Sequence, residues 1–181
     1  MIFVPISGSK TKKIEVRLNE KGQEEHLVVV FAGRGKDVID LDLASVHEAA
    51  ATQGKVTVRG VLREGARARI RGMIKIKKGA PQSQGFLEER TLLLGEDSQV
   101  EAVPELEIEE NDVSASHAAS SGVVSEEDLF YLRSRGISRK KALDLIIEGF
   151  LTPAISGLEF EGKEGKQVLS KLNRVKKYAL D

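Results

Sequence analysis

The sequence predicts a mainly β body of stacked strands followed by a small α-helical tail. Three observations carry that expectation: period-two alternation of apolar and charged residues across 55–122, an interior limited to aliphatic side chains, and a change to helical caps and stripes after residue 122. Of 181 residues, 40% are hydrophobic but only 4% aromatic. Val, Ile, Leu and Ala must therefore fill the interior, which suits repetitive stacking of thin layers better than one thick core. The division expected is a β core over 1–122, with 1–54 its least patterned part, and a helical domain over 123–181.

In chain order, short β-like runs stand at Lys13–Leu18, Leu27–Phe31 and Val38–Leu43, punctuated by Gly33 and Gly35. In KVTVRGVLR, Val56 and Val58 alternate with Lys55, Thr57 and Arg59. In ARARIRGMIKIKK, Ala68, Ile70, Gly72, Ile74 and Ile76 share one face, and Arg67, Arg69, Arg71, Lys75 and Lys77 the other. In QVEAVPELEIEE, Val100, Ala102, Leu106 and Ile108 oppose Glu101, Glu105, Glu107 and Glu109. Successive side chains of a strand point to opposite faces, so each run reads as β. After residue 122, Ser125 precedes Glu126, Glu127 and Asp128, an N-cap with acids in the positive first turn, and Gly136 is placed to end that helix. A second helix starts at Ser138, buries Ala142, Leu145 and Ile146, and stops between Gly149 and Pro153. Its first turn carries Arg139, Lys140 and Lys141 against the dipole, at ~0.3–1 kcal/mol each, offset by solvation or by an acidic neighbour. A third helix spans Gln167–Leu180, with Val168, Leu172, Val175 and Ala179 on one stripe.

Charge is balanced overall, 28 basic against 28 acidic, which argues against bulk electrostatic binding to nucleic acid or an anionic membrane. It is sharply divided locally. Residues 55–78 hold nine bases and one acid; residues 96–112 hold eight acids and no base. Opposite charges facing each other across a ladder stabilise and like charges repel, so basic rungs are expected beside acidic ones. The alternatives are a solvated face of compensating ladders, a basic binding stripe, or a carbohydrate-active coil face with clustered acids and bases. No apolar run approaches the ~18 residues of a membrane span, and the N-terminus lacks the order of a signal peptide. The expectation is a soluble cytoplasmic protein.

Catalytic patterns are absent. With no Cys there is no disulfide, thiolate ligand or cysteine nucleophile within the chain. The three His, at 26, 47 and 117, share no metal-binding spacing, there is no P-loop, and GRGKD at 33–37 reads as a loop. The chain is therefore expected not to be an enzyme and to hold no metal or cofactor stably on its own. His117 stands out. If its segment is extended, Val113, Ala115, His117 and Ala119 point the same way, so the imidazole projects among small neighbours that permit close backbone approach. It is either a metal ligand or a buried, hydrogen-bonded core histidine.

Residues 92–138 resemble the core of the SufB/SufD family of iron–sulfur cluster assembly proteins. A P-x-L-E-I-x-x-x-D-V-x-x-x-H element is matched by Pro104, Leu106, Glu107, Ile108, Asp112, Val113 and His117, and L-F-Y-L-x-S-R-G-I is matched from Leu129 to Ile137. The resemblance covers roughly residues 50–155 and implies a right-handed parallel β-helix with a small C-terminal helical domain. It implies pairing through the β-helix, as a homodimer or with a SufB-type subunit, and docking of a SufC-type ABC ATPase by the helices. His117 resembles the histidine that the family places at the dimer interface and implicates in cluster assembly; Ala115 stands where SufD-like members often carry Cys, and Ala118 where SufB-like members carry Glu. With no Cys, this chain is similar to a minimal SufD-type partner that lends His117 to a nascent cluster whose sulfur ligands come from another subunit. Phe130, Tyr131, Arg133 and Arg135 are the implied ATPase contacts, with Phe130 equally readable as a core anchor. A family member that has lost cluster chemistry is the alternative.

Overall fold

A computed structural model of the chain describes residues 1–95, 97–155 and 162–180. Glu96, counted above among the acids, lies outside the described residues. The period-two runs form strands: β1 (Ile2–Ser7), β2 (Lys10–Leu18), β3 (Glu24–Arg34), β4 (Val38–His47), β5 (Gln53–Arg63), β6 (Arg67–Ile76), β7 (Gln84–Leu94), β8 (Gln99–Ile108) and β9 (Ser114–Val123). They wind alternately into two parallel sheets, ordered β1-β3-β5-β7-β9 and β2-β4-β6-β8. The result is a parallel β-solenoid of about four turns in which each strand lies on the one about 30 residues before it.

Stacking by one repeat places like on like. Inside the first sheet, Ile2, Leu27, Val56 and Leu87 form one column and Val4, Val29 and Val58 another. Opposite them, Leu41 meets Ile70 and Ile39 meets Ala68. Apart from Ile2, 38% exposed at the start of the stack, and the partly buried Val4, these residues pack as one buried aliphatic cluster, with Phe31 its largest side chain. Phe31 fits because Gly60 lies beside it: a Cβ there would stand 1.9 Å from the ring. Residues 1–54 form complete coils, and their strands run longer than the alternation predicts. Among the strands, β1 and β7 have no individually predicted run, because neither IFVPIS nor QGFLEERTLLL carries a clear period-two signal.

The divided charges pair between rungs, as the ladder argument requires. Arg69 faces Glu101 at 3.6 Å, Lys75 faces Glu107 at 2.6 Å, and Arg71 reaches Glu105 at 3.3 Å and Asp42 at 3.9 Å. All are at least partly solvated, worth at most about 1 kcal/mol each. This is the solvated face of compensating ladders, not a binding stripe, and the reason for a carbohydrate-active coil face falls with it. Leu106 and Ile108 alternate as predicted but are 50% and 41% exposed, because β8 is the last rung of its sheet.

The tail forms α1 (Glu126–Ser134), α2 (Arg139–Leu151) and α3 (Gly162–Leu180). Ser125 caps α1 by accepting from the Asp128 N–H, Gly136 adopts φ 81°, and Ser138 caps α2. Arg139 finds an acidic neighbour in Glu126 at 3.1 Å. One expectation fails: α2 buries Ala142, Ile147 and Leu151, while Leu145 is 40% exposed. The face of α2 is set by the sheet it meets rather than by its own apolar pattern. Ile147, Leu151 and the α3 stripe of Val168, Leu172, Val175 and Ala179 pack on Val28, Val30, Ala32 and Val61, the outer face of the first sheet. That sheet is therefore apolar on both sides, which blurs alternation in β3.

Candidate functional site

In a parallel ladder, alternate residues turn their N–H and C=O to opposite neighbours. Ser114 N donates to Ser83 O at 3.0 Å and Val124 N to Leu93 O at 3.3 Å, so the even residues of β9 face β7. The backbone of Ala115, His117, Ala119 and Ser121 consequently faces an open edge, since β9 ends its sheet. β8 ends the other sheet, but there Gln99 N and Glu109 N bond back to Ala66 O and Ile76 O, which leaves Pro104 on the open side. Proline has no N–H, so it costs the ladder nothing there and interrupts that edge. Of the two strands at this end of the solenoid, β9 keeps the unbroken row of free donors and acceptors, the template for adding another strand.

His117 sits on this edge strand with its side chain turned inward, 7% exposed. It tops the column of Ile2, Leu27, Val56 and Leu87. One rung below it in the next column, Glu89 lies between Val58 and Ala119, with a side chain only 2% exposed. His117 Nε2 is 3.8 Å from Glu89 Oε1, and neither ring nitrogen nor either carboxylate oxygen has a hydrogen-bond partner within the chain. Burial pushes the Glu89 carboxyl up to about 7 and lowers the imidazole from its ordinary value. The histidine is thus buried as expected but not hydrogen-bonded, which answers neither of the two simple readings of it. The other two histidines do have partners. His47 bonds Thr52 Oγ1 at 2.8 Å and Ser45 Oγ at 3.3 Å, and His26 bonds Thr57 Oγ1 at 2.9 Å.

Glu89 escapes sequence reasoning, because GFLEERTLLL gives no hint which of its acids turns inward. The available signal is register: aligned by one repeat, Glu89 falls on Val58. The predicted tail residues lie away from this site. Phe130 is 72% and Tyr131 60% exposed, and Arg133 and Arg135 are exposed beside them. The Arg135 guanidinium stands 5.3 Å over the Tyr131 ring. Phe130 is not a core anchor: Leu129, 2% exposed, fills that role, lining a cleft with Leu94, Val124, Leu143 and Ile147.

The chain is thus a parallel β-solenoid that ends in a free strand edge, with a histidine beneath that edge and a helical tail folded on its flank. The SUF system FeS cluster assembly SufBD core domain family matches residues 5–150, and the chain belongs to it. The iron–sulfur cluster assembly protein SufD of Bacillus subtilis is 38% identical over 145 residues, 80% of this chain and 33% of that protein. SufBD family proteins of Mycobacterium leprae and Staphylococcus saprophyticus are 34% and 32% identical, over 78% and 81% of this chain. The chain spans 16% of the former and 31% of the latter, so it corresponds to a third or less of these relatives. No helix among the described residues is long and apolar enough to cross a membrane.

Proposed function

We propose that the chain is a non-enzymatic subunit of SUF iron–sulfur cluster assembly, working in the cytoplasm. It pairs through the open end of its solenoid, with a second copy or with a SufB-type subunit, and docks a SufC-type ABC ATPase through its helices. The observation that carries this reading is the uninterrupted β9 edge with His117 buried directly behind it. Strand addition there would place a partner's side chains next to the imidazole. The nascent cluster is the cargo. Its thiolates must come from a Cys-bearing partner, since this chain has none, while His117 can supply a nitrogen ligand. The ATP chemistry belongs to the docked subunit.

The exposed aromatic and cationic face of α1 supports the docking role. Phe130 and Tyr131 leave large apolar surface in water, and Arg133 and Arg135 flank them, the residue types enriched at interfaces. Mixing the chain with a SufC-type ATPase should give a complex in size-exclusion chromatography and calorimetry that is lost when residues 125–150 are removed; no association with the intact chain rejects the docking role. The missing cysteine favours a second reading, a SufBD-family interaction protein that has lost cluster chemistry. His117→Ala separates the two: cluster assembly with a SufB-type partner should fall, and an unchanged yield selects the second reading.

A further inference from the structure

We propose that Glu89 and His117 form the intrachain half of a binding site for a divalent first-row transition-metal ion, completed by ligands from across the β9 edge. The inference rests on the reading of β9 as the pairing edge and adds to it a second ligand, Glu89.

Register makes the pair anomalous. The two inward columns run Ile2, Leu27, Val56, Leu87 and Val4, Val29, Val58, all apolar; the first ends in His117 on the last rung, and the second turns ionisable at Glu89 one rung earlier, with only the small Ala119 stacked above it. The opposite sheet makes room for the carboxylate. A Cβ on Gly72 would stand 2.4 Å from Glu89 Oε1, so the carboxylate occupies space that a side chain at 72 would fill. Four polar atoms here, both nitrogens of His117 and both carboxylate oxygens of Glu89, are buried without a hydrogen bond, whereas the buried polar corner of Ser45, His47, Thr52 and Ser83 is hydrogen-bonded. Burying a carboxylate without a partner is costly, and a cation removes that cost.

Distance separates a metal from a simple acid–base pair. At 3.8 Å the two groups are beyond hydrogen-bond reach, about 3.2 Å at most. Two metal–ligand bonds of about 2.1 Å span up to ~4.2 Å between donor atoms, so a cation fits where a shared proton does not. One imidazole and one carboxylate suit ferrous-type ions, and leave coordination positions for the partner. Glu89 would then neutralise part of the ion's charge while His117 presents it at the seam.

Co²⁺ titrated into the full chain, followed by visible d–d absorption and calorimetry, tests the site. The expected result is one Co²⁺ per chain, bound about 10–100-fold more weakly by Glu89→Gln and not at all by His117→Ala. Glu88→Gln, whose parent carboxylate pairs with Arg90, should bind as the unmodified chain does. Circular dichroism checks folding; if Glu89→Gln does not fold, Glu89→Asp, which withdraws the carboxylate by one methylene, should show the weakening instead. No Co²⁺ bands in the unmodified chain, or undiminished binding by the Glu89 variants, overturns the site. Sedimentation of the same samples with a SufB-type partner keeps the two readings apart. A chain that pairs but takes no Co²⁺ rejects the metal site alone. One that takes Co²⁺ through both residues yet never pairs rejects the pairing edge and the ligands assigned across it.

Discussion

Glu89 has a carboxyl that burial raises from 4.5 to about 7. Between those values the folded chain binds more protons than the unfolded one, so this group's contribution to stability falls as pH rises. The groups facing it are His117 from β9 and the open niche at Gly72 in β6. In metal-free buffer Glu89→Gln should therefore be the more stable protein at pH 8, by on the order of 1–3 kcal/mol, and indistinguishable below about pH 4.5. Denaturant melts at the two pH values measure it, and equal stability at pH 8 would show the carboxylate to be solvated. Asp37 has the opposite sign. Burial raises its carboxyl, but hydrogen bonds from Arg34 N, Tyr178 Oη and Ser9 outweigh that and hold it below 3.8. Its stabilisation is present well above its ordinary value and is lost as pH falls through the lowered one. Because Tyr178 belongs to α3, Asp37→Asn should cost about 1–2 kcal/mol at neutral pH and loosen that helix first, read by amide exchange along α3.

At the scale of elements, β9 and α1 are the proposed interaction surfaces, and their exposed groups can be altered without touching the core. The backbone N–H of Ala119 faces the open edge, so Ala119→Pro removes one donor and no intrachain ladder bond. The variant should keep its circular dichroism spectrum and lose pairing in sedimentation; retained pairing would mean that the partner does not add as a strand to β9. On α1, Phe130→Ala with Tyr131→Ala removes groups 72% and 60% exposed. Stability should change by less than about 0.5 kcal/mol while ATPase affinity falls at least tenfold. The helices show how much was legible locally. Both serine caps and the Gly136 terminus follow from residue type alone, since each satisfies orphan backbone groups within one turn. The buried face of α2 does not follow, because Leu145 and Ile147 are equally apolar and only the sheet beneath selects Ile147.

For the whole molecule, nearest-neighbour stacking governs stability. Each coil contacts the coils before and after it, so the middle coils are held from both sides and the last rung from one. Amide exchange should be slowest in β3 to β6 and fastest in β8 and β9, and addition of a pairing partner should slow β9 selectively. Uniform protection would indicate a single cooperative unit in place of a stack. The sequence by itself determined the strand pattern of β4, β5, β6 and β8, the opposite-charge ladders, the helix caps and the family, because alternation, charge and capping act between residues that are close in the chain or one repeat apart. Only the tertiary structure decided that Glu89 turns inward beside His117, that the tail covers the outer face of the first sheet, and that Pro104 interrupts one edge while β9 stays open. Those outcomes depend on register between strands about 30 residues apart, and a side chain's surroundings there are set by the rung above and below it, not by its neighbours in sequence.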